Sequence, residues 1–282
     1  VYDDFGDLRA VIPPMLSKEV STSTSTNWSS DSEPINRWAF LYVYDSRHHC
    51  VAKKIPGAGW SLTLYDKTGN AILTQDAKQR ENNEWMFNIP DASGRVCIQG
   101  LCDEATLFGS DSGIDVFAGP FQNISVRALR SQEPLAATSS IYGYNVDGLN
   151  IDSTATFLTV NYYDDHSFIG EFGFPQDLLF DKTLVDDGYG ERWSSAHSLL
   201  TGSMSSVLTS EGVSAGKFRH TALFYDEYGR TIQSVSKYED GDLIRMASAF
   251  DFAGNRTLSR EVVLMSDACD TVERTDIYDL WG

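Results

Sequence analysis

A short phrase recurs along the chain: an aromatic residue, an aspartate, two free positions, a glycine, then a polar or basic residue. It reads Tyr2-Asp3-Asp4-Phe5-Gly6-Asp7, Tyr65-Asp66-Lys67-Thr68-Gly69-Asn70, Tyr225-Asp226-Glu227-Tyr228-Gly229-Arg230 and Phe250-Asp251-Phe252-Ala253-Gly254-Asn255. Degenerate copies are Tyr44-Asp45-Ser46-Arg47-His48-His49 and Pro90-Asp91-Ala92-Ser93-Gly94-Arg95, and a last one runs Tyr278-Asp279-Leu280-Trp281-Gly282. The step from Tyr65 to Pro90 equals that from Tyr225 to Phe250, and the step from Tyr2 to Tyr44 is twice that from Tyr44 to Tyr65. A repeat at this period constrains the fold before any other signal, because one supersecondary unit must be stacked on copies of itself.

The residues around each phrase define that unit. Trp60-Ser61-Leu62-Thr63-Leu64-Tyr65 and Arg230-Thr231-Ile232-Gln233-Ser234-Val235-Ser236 alternate apolar and polar positions, the period of a half-buried strand. Between such strands, Asp opens a tight turn by accepting backbone N–H groups, and Gly closes it in the left-handed conformation of a bulged hairpin loop. The aromatic residue before the Asp ends the first strand. An isolated hairpin is marginal in water, so the hairpins are expected to stack and bury a continuous face.

The pattern predicts a mainly β chain with one or two short helices in the middle. Residues 1–100 form a repeat segment, interrupted by a polar linker at 16–36 that holds the run Ser21-Thr22-Ser23-Thr24-Ser25-Thr26. Residues 101–155 are an irregular insert. Within it Asp103-Glu104-Ala105-Thr106-Leu107-Phe108 begins a short helix, and residues 115–130, with Val116, Phe117, Ile124 and Val126, read as strand. Residues 156–282 return to repeats, with a loop-like or weakly helical, Asp- and Gly-rich stretch at 171–198. The chain opens and closes inside repeat phrases and is read as a piece of a longer polypeptide. Each end then leaves an unpaired edge strand, for which strand addition by another molecule is expected.

Composition excludes some partners. The formal charge of −18 argues against nucleic acid and anionic membrane surfaces. No apolar run approaches the length of a membrane span, and no signal peptide is visible at Val1. Cys50, Cys97, Cys102 and Cys269 lack metal-ligand spacing, and their disulfide state is open. No cofactor or metal site is expected. The phrase aspartates are read as turn caps, and the doublets Asp164-Asp165 and Asp186-Asp187 as solvated loop, since neither has the ligand spacing of a calcium loop. His48 falls on the glycine position of its copy. Without a His-Glu-x-x-His or Gly-x-Ser-x-Gly motif, zinc- or serine-hydrolase chemistry has no support, and no enzyme is expected.

These repeats resemble those of the bacterial Rhs (YD-repeat) family. The resemblance extends to Lys53-Lys54-Ile55-Pro56-Gly57-Ala58-Gly59, Ile72-Leu73-Thr74-Gln75-Asp76, Gln79-Arg80, Trp85-Met86-Phe87, Leu158-Thr159-Val160-Asn161-Tyr162-Tyr163-Asp164-Asp165 and Leu200-Thr201-Gly202-Ser203. Most of residues 1–100 and 156–282 fit. The resemblance implies stacked antiparallel hairpins forming a spiralling sheet or partial shell, in a large secreted or bacterial cell-surface protein. It implies a non-enzymatic scaffold whose partners are neighbouring repeats of the parent polypeptide. Some members hold a toxic C-terminal domain and cleave themselves at Asp-Pro-x-Gly; here Asp147-Gly148-Leu149-Asn150 echoes only the second half of that motif and is read as a turn. The alternative is an adhesion module that binds glycans or surface proteins through exposed aromatics, for which Trp28, Trp60, Trp85 and Trp193 are the candidates.

Overall fold

The computed structural model describes residues 1–23, 29, 32–108, 119–131, 141–151, 154–210, 212–265 and 269–276. Trp28 and the copy beginning at Tyr278 lie outside the described residues. The chain is mainly β and divides into two compact units, Val1–Leu129 with Val146–Ala155, and Arg130–Asn145 with Thr156–Gly282.

The first unit carries strands β1 (Ala10–Val11), β2 (Phe40–Tyr44), β3 (Cys50–Lys54), β4 (Trp60–Tyr65), β5 (Ala71–Gln75), β6 (Glu84–Pro90) and β7 (Val96–Asp103). Each pairs antiparallel with the next, so this part is a run of consecutive hairpins. Short strands β8 (Arg127–Arg130) and β9 (Tyr144–Asp147) follow. The second unit repeats the plan with β10 (Thr156–Asp164), β11 (Ala196–Thr209), β12 (Gly212–Tyr225), β13 (Thr231–Lys237), β14 (Leu243–Phe250), β15 (Arg256–Leu264) and β16 (Cys269–Thr275), again paired consecutively and antiparallel.

Each phrase is a chain reversal built one way, which we call an Asp corner. At Asp3, Asp45, Asp66, Asp91, Asp226 and Asp251 the Asp N–H donates to the carbonyl four residues on at 2.8–3.0 Å, and the residue three on donates back to the Asp carbonyl at 3.0–3.2 Å. The carboxylate completes the loop. Its Oδ1 accepts the backbone N–H of the fourth residue at every corner: Asp7, His49, Asn70, Arg95, Arg230 and Asn255. Where the fourth residue is Arg95, Arg230 or Asn255, its side chain also donates to Oδ2, which explains the polar or basic residue in the phrase. The third residue after Asp has positive φ at every corner, and His48, at φ 64°, is the one side chain placed there. Five corners share a register shift at the residue before the Asp, at Tyr44, Tyr65, Pro90, Tyr225 and Phe250; this is a bulge that re-aims the strand end.

Corners are also laced to one another. Arg47 donates from both terminal nitrogens to the carbonyls of Asp66 and Lys67 at 2.9 Å, Arg230 donates to Asp251 O at 2.8 Å, and His48 Nδ1 lies 2.8 Å from Asp7 Oδ2. Successive hairpins return the chain to one end of the sheet, so consecutive corners become neighbours within each unit.

Burial shows why the alternation is imperfect. Ile72 and Leu73 of β5 are both fully buried, as are Cys97 and Ile98 of β7 and Ile232 and Gln233 of β13. Adjacent strand residues point to opposite faces, so the sheet is covered on both sides at these points. In the second unit the cover includes Phe168, Phe174, Leu178, Leu184 and Tyr189 from the 165–190 stretch; Leu184 and Tyr189 pack with Ala247, Ala249 and Leu258. Phe168 lies flat on Tyr162 with ring centres 4.3 Å apart, and Gly202 is required beneath it, since a Cβ there would meet the Phe168 ring at 2.3 Å.

Several local expectations are corrected. The stretch read as a polar linker at 16–36 holds two helices, α1 (Pro14–Thr22) and α2 (Glu33–Trp38), joined by a hydrogen bond from Trp38 Nε1 to Glu19 Oε2 at 3.0 Å. Pro at the start of each helix and Leu16, wholly buried, outweigh the polar composition. A third helix, α3 (Ala77–Glu81), interrupts the repeat segment. Asp76 and Gln79 cap it reciprocally, a signature present in the sequence as Asp-x-x-Gln. Helices α4 (Glu104–Phe108) and α5 (Thr183–Asp186) occupy the middle of the chain, as expected of that region. Of the strand expected over 115–130, residues 115–118 with Val116 and Phe117 lie outside the described residues; from 119 on only Arg127–Arg130 forms, and Ile124–Val126 instead lies over the corner at Asp66. Lys67 N donates to Ile124 O at 2.8 Å and Val126 N to Asp66 Oδ2 at 3.1 Å.

That strap makes Asp66 the corner with the most at stake. It is fully buried, and burial alone would raise its carboxyl pKa. Hydrogen bonds from Thr68, Asn70 and Val126 outweigh burial and hold the pKa below the usual carboxylate range. Replacing Asp66 by Ala leaves these donors unpaired and should cost about 3 kcal/mol of stability in urea unfolding. A carboxyl whose pKa is depressed on folding stabilises the fold above its unfolded pKa, about 4, and loses that contribution as pH falls toward the folded value. Asp66→Asn should therefore flatten the stability profile below pH about 4.

His48 gives the opposite sign. Its hydrogen bond to Asp7 raises its pKa, so its contribution is complete below the unfolded value of about 6.5 and is lost as pH rises through the folded value. The protection of amides at residues 3–7, relative to their intrinsic exchange at each pH, should fall across that window in the native chain and not in His48→Gln.

Candidate functional site

A concave surface beside an exposed aromatic lies in the second unit. The loop 188–194 runs alongside the corner at Asp226, and between them is a cleft of about 560 Å³. Its inner wall is apolar, from Ile232 on β13 and Ala249 and Phe250 on β14; its rim carries Glu191, Arg192, Trp193, Glu227 and Tyr228.

Each rim element is held by a backbone device. Trp193 N donates to Tyr225 O at 2.8 Å, pinning the loop to the end of β12 one residue before the Asp226 corner. The Tyr225 hydroxyl donates to Leu200 O at 2.5 Å and fixes the neighbouring strand end. Gly188 and Gly190, at φ 88° and 83°, let the loop turn away from the sheet twice in three residues. Arg230 is locked on both sides. Its Nε donates to Asp226 Oδ2 at 2.6 Å, its NH1 holds Asp251 O, and its guanidinium sits 4.8 Å from the Tyr228 ring centre and 5.0 Å from that of Phe250. Arg192 lies 5.9 Å over the Phe224 ring. Trp193 is 49% exposed and Tyr228 72% exposed.

The four tryptophans named from sequence therefore differ. Trp193 is a rim aromatic. Trp60 is half-buried, with Lys54 Nζ 5.7 Å from its ring centre and its carbonyl held by Arg80 NH2 at 2.8 Å. Trp85 is only 2% exposed: its ring packs edge-on against Phe108, its Nε1 donates to Glu104 Oε2 at 3.2 Å, and it has no face to offer a ligand. The position read as a surface aromatic is a core one because α4 folds back over the end of β6. Trp28 lies outside the described residues. Tyr228 was not singled out, although its place inside a corner, at the second residue after Asp, marks it as a turn-tip aromatic.

The acidic doublets serve local structure. Asp164 accepts Ser198 N at 2.6 Å, Asp165 accepts Ser167 N and Oγ and lies 3.6 Å from Arg130, and Asp187 pairs with Arg260 at 2.9 Å. Among the described residues, no three His, Cys, Asp or Glu side chains are placed to hold a metal ion, and the four cysteines are unbridged. Burial holds the pKa of His166 down, where its ring stacks on Phe224, and likewise that of His220.

No family model matches the chain, and no curated protein matches it. Among solved structures, a chain of the TcdB2-TccC3-TEV crystal structure is similar over 93% of this chain, at 16% identity and a TM-score of 0.28. This chain spans 14% of the length of that one.

The two tryptophan environments are separable by experiment. Trp85→Ala should cost about 3–5 kcal/mol, the range for a large aromatic removed from a core. Trp193→Ala should shift stability by less than about 0.5 kcal/mol while removing an acrylamide-accessible part of the fluorescence.

Proposed function

We propose that the chain is a non-enzymatic scaffold segment of an Rhs (YD-repeat) protein, one that is secreted or displayed at a bacterial surface, with neighbouring repeats of the parent polypeptide as its partners. The supporting observation is how the Asp corners use their carboxylates. All six turn inward onto their own backbone, and three of the corners reach across to the next. Aspartates so engaged are construction elements that propagate a sheet; they are not poised as acids or bases. Stability in such an array is a sum of hairpin terms and nearest-neighbour terms. Removing residues 256–282 should lower the unfolding midpoint while the remaining strands keep their far-ultraviolet β signal. Turnover on a panel of glycosides, esters and peptides that disappears on substitution of a cleft residue would overturn the reading.

A second reading, an adhesion module for glycans or surface proteins, draws on one observation: Trp193 and Tyr228 stand exposed at the rim of the 560 Å³ cleft, with Glu191 and Glu227 beside them as acceptors for sugar hydroxyls. A glycan array is the test. Binding that is lost in Trp193→Ala, with stability unchanged, would favour this module over the plain scaffold.

A further inference from the structure

The 165–190 stretch covers one face of the second unit's sheet, and most charges at that contact are matched. Paired residues of neighbouring strands share a face, so His220 and Lys237, Val235 and Arg245, and Ala247 and Arg260 turn toward the cover together. Lys237 pairs with Asp177 of the cover, Arg245 with Asp181 at 3.9 Å and Arg260 with Asp187 at 2.9 Å; Glu273 on β16 is the second partner of Arg260. Gln233, buried on the same face, exchanges two hydrogen bonds with the Asp181 backbone at 2.9 and 3.0 Å.

The exceptions are two histidines, one on each side of the contact. His166 belongs to the cover. Its Nε2 donates to Leu223 O on β12 at 2.7 Å, and its ring lies flat on Phe224 with centres 4.6 Å apart. With a hydrogen already on Nε2, a second proton must go to Nδ1. The charges around this ring are Asp165 beside it in the chain, Arg192 over Phe224, and Arg130, 3.6 Å from Asp165. His220 belongs to the sheet. Its ring packs edge-on against Phe174 of the cover at 5.2 Å and beside Phe218 at 6.3 Å. A ring N–H is held by the Gly173 backbone, and Nε2 is buried with no hydrogen-bond partner. Lys237 and Asp177 are the charges that face it, and β11 places the uncharged Met204 opposite. Among the described residues, neither histidine lies within ion-pair distance of a carboxylate, unlike His48, His49 and His197.

We propose that the cover is a latch released by mild acid: it is shut while His166 and His220 are neutral, and protonation of the two loosens it from a sheet that stays folded. A proton on His220 Nε2 finds no acceptor and lies near Lys237; one on His166 adds a charge to a stack of rings near Arg192. Burial lowers the pKa of both rings, so their contribution to closure is complete above the unfolded value, about 6.5, and is lost as pH falls below it. The cover aspartates act in a separate window. Burial alone would raise the Asp181 carboxyl, but hydrogen bonds from Thr183 and the Arg245 charge outweigh it and hold the pKa below the usual range, so that clasp survives until pH is below about 4. Lifting the cover bares Phe168, Phe174 and Leu178, each buried in the shut state. The latch is independent of the scaffold and adhesion readings.

The test is hydrogen–deuterium exchange of the full 282-residue chain between about pH 7 and about pH 5, each amide referred to its intrinsic rate at that pH. Peptides from 165–190 should lose protection by on the order of tenfold across that range, while β12 and β13 keep theirs. His166→Gln/His220→Phe retains a donor for Leu223 O and an aromatic ring against Phe174, and takes up no proton at either place. It should match the native chain at the upper pH and stay protected at the lower. His220→Arg, whose charge is fixed, should show the loosened cover already at the upper pH with β12 and β13 still protected, so the proposal remains testable if the double variant folds poorly. A cover whose protection is unchanged across the range would overturn the proposal. So would an equal loss in the double variant, which would assign the effect to the carboxylates, or a loss shared in step by β12 and β13, which would mean unfolding of the whole unit.

Discussion

The fold depends on a carboxylate that accepts hydrogen bonds from its own turn. A tight reversal leaves several amide donors pointing at one another with no ladder to join. An ionised aspartate at the head of the turn gathers them on one oxygen, leaving the second for an arginine or asparagine side chain. Hydrogen bonds to a charged acceptor are worth roughly twice neutral ones. The same device makes lacing possible, because an arginine positioned by its corner, as Arg230 is, has a donor left to hold the next corner's carbonyl.

That chemistry explains why the corners were legible in sequence and much else was not. Aromatic-Asp-x-x-Gly encodes its geometry locally, so Tyr65, Tyr225 and Phe250 sit beside chain reversals as expected, and even the copy lacking glycine folds alike, with His48 taking the strained backbone. Elements that depend on distant partners were obscure. Ile124 and Val126 have the composition of a strand, yet Asp66 and Lys67, far earlier in the chain, recruit their backbone as a strap. The helices near the N-terminus were hidden by a serine- and threonine-rich composition, although Pro14 and Pro34 mark their starts.

The candidate site was half legible for the same reason. Nothing in the sequence ranks Trp193 above Trp28, Trp60 and Trp85, and it is the fold that exposes Trp193 at the rim of the cleft. Trp85 had the same residue type but a different fate, set by Phe108 and Glu104 in an insert that carries no repeat. Residue type names candidates; only tertiary cover separates a platform from a core side chain. The cleft itself, between the β12–β13 corner and a loop from the β10–β11 connection, belongs to no single stretch of sequence.

The double-faced burial at Ile72 and Leu73, and at Ile232 and Gln233, divides the molecule kinetically as well as spatially. Strands wet on one side can exchange their amide hydrogens by local opening, but a strand capped above and below opens only when its covering layers lift first. Within each unit the slowest-exchanging amides should therefore belong to interior strands such as β5 and β13. The corners at their ends then act as hinges of a frame whose outer ribbons breathe while its middle stays shut.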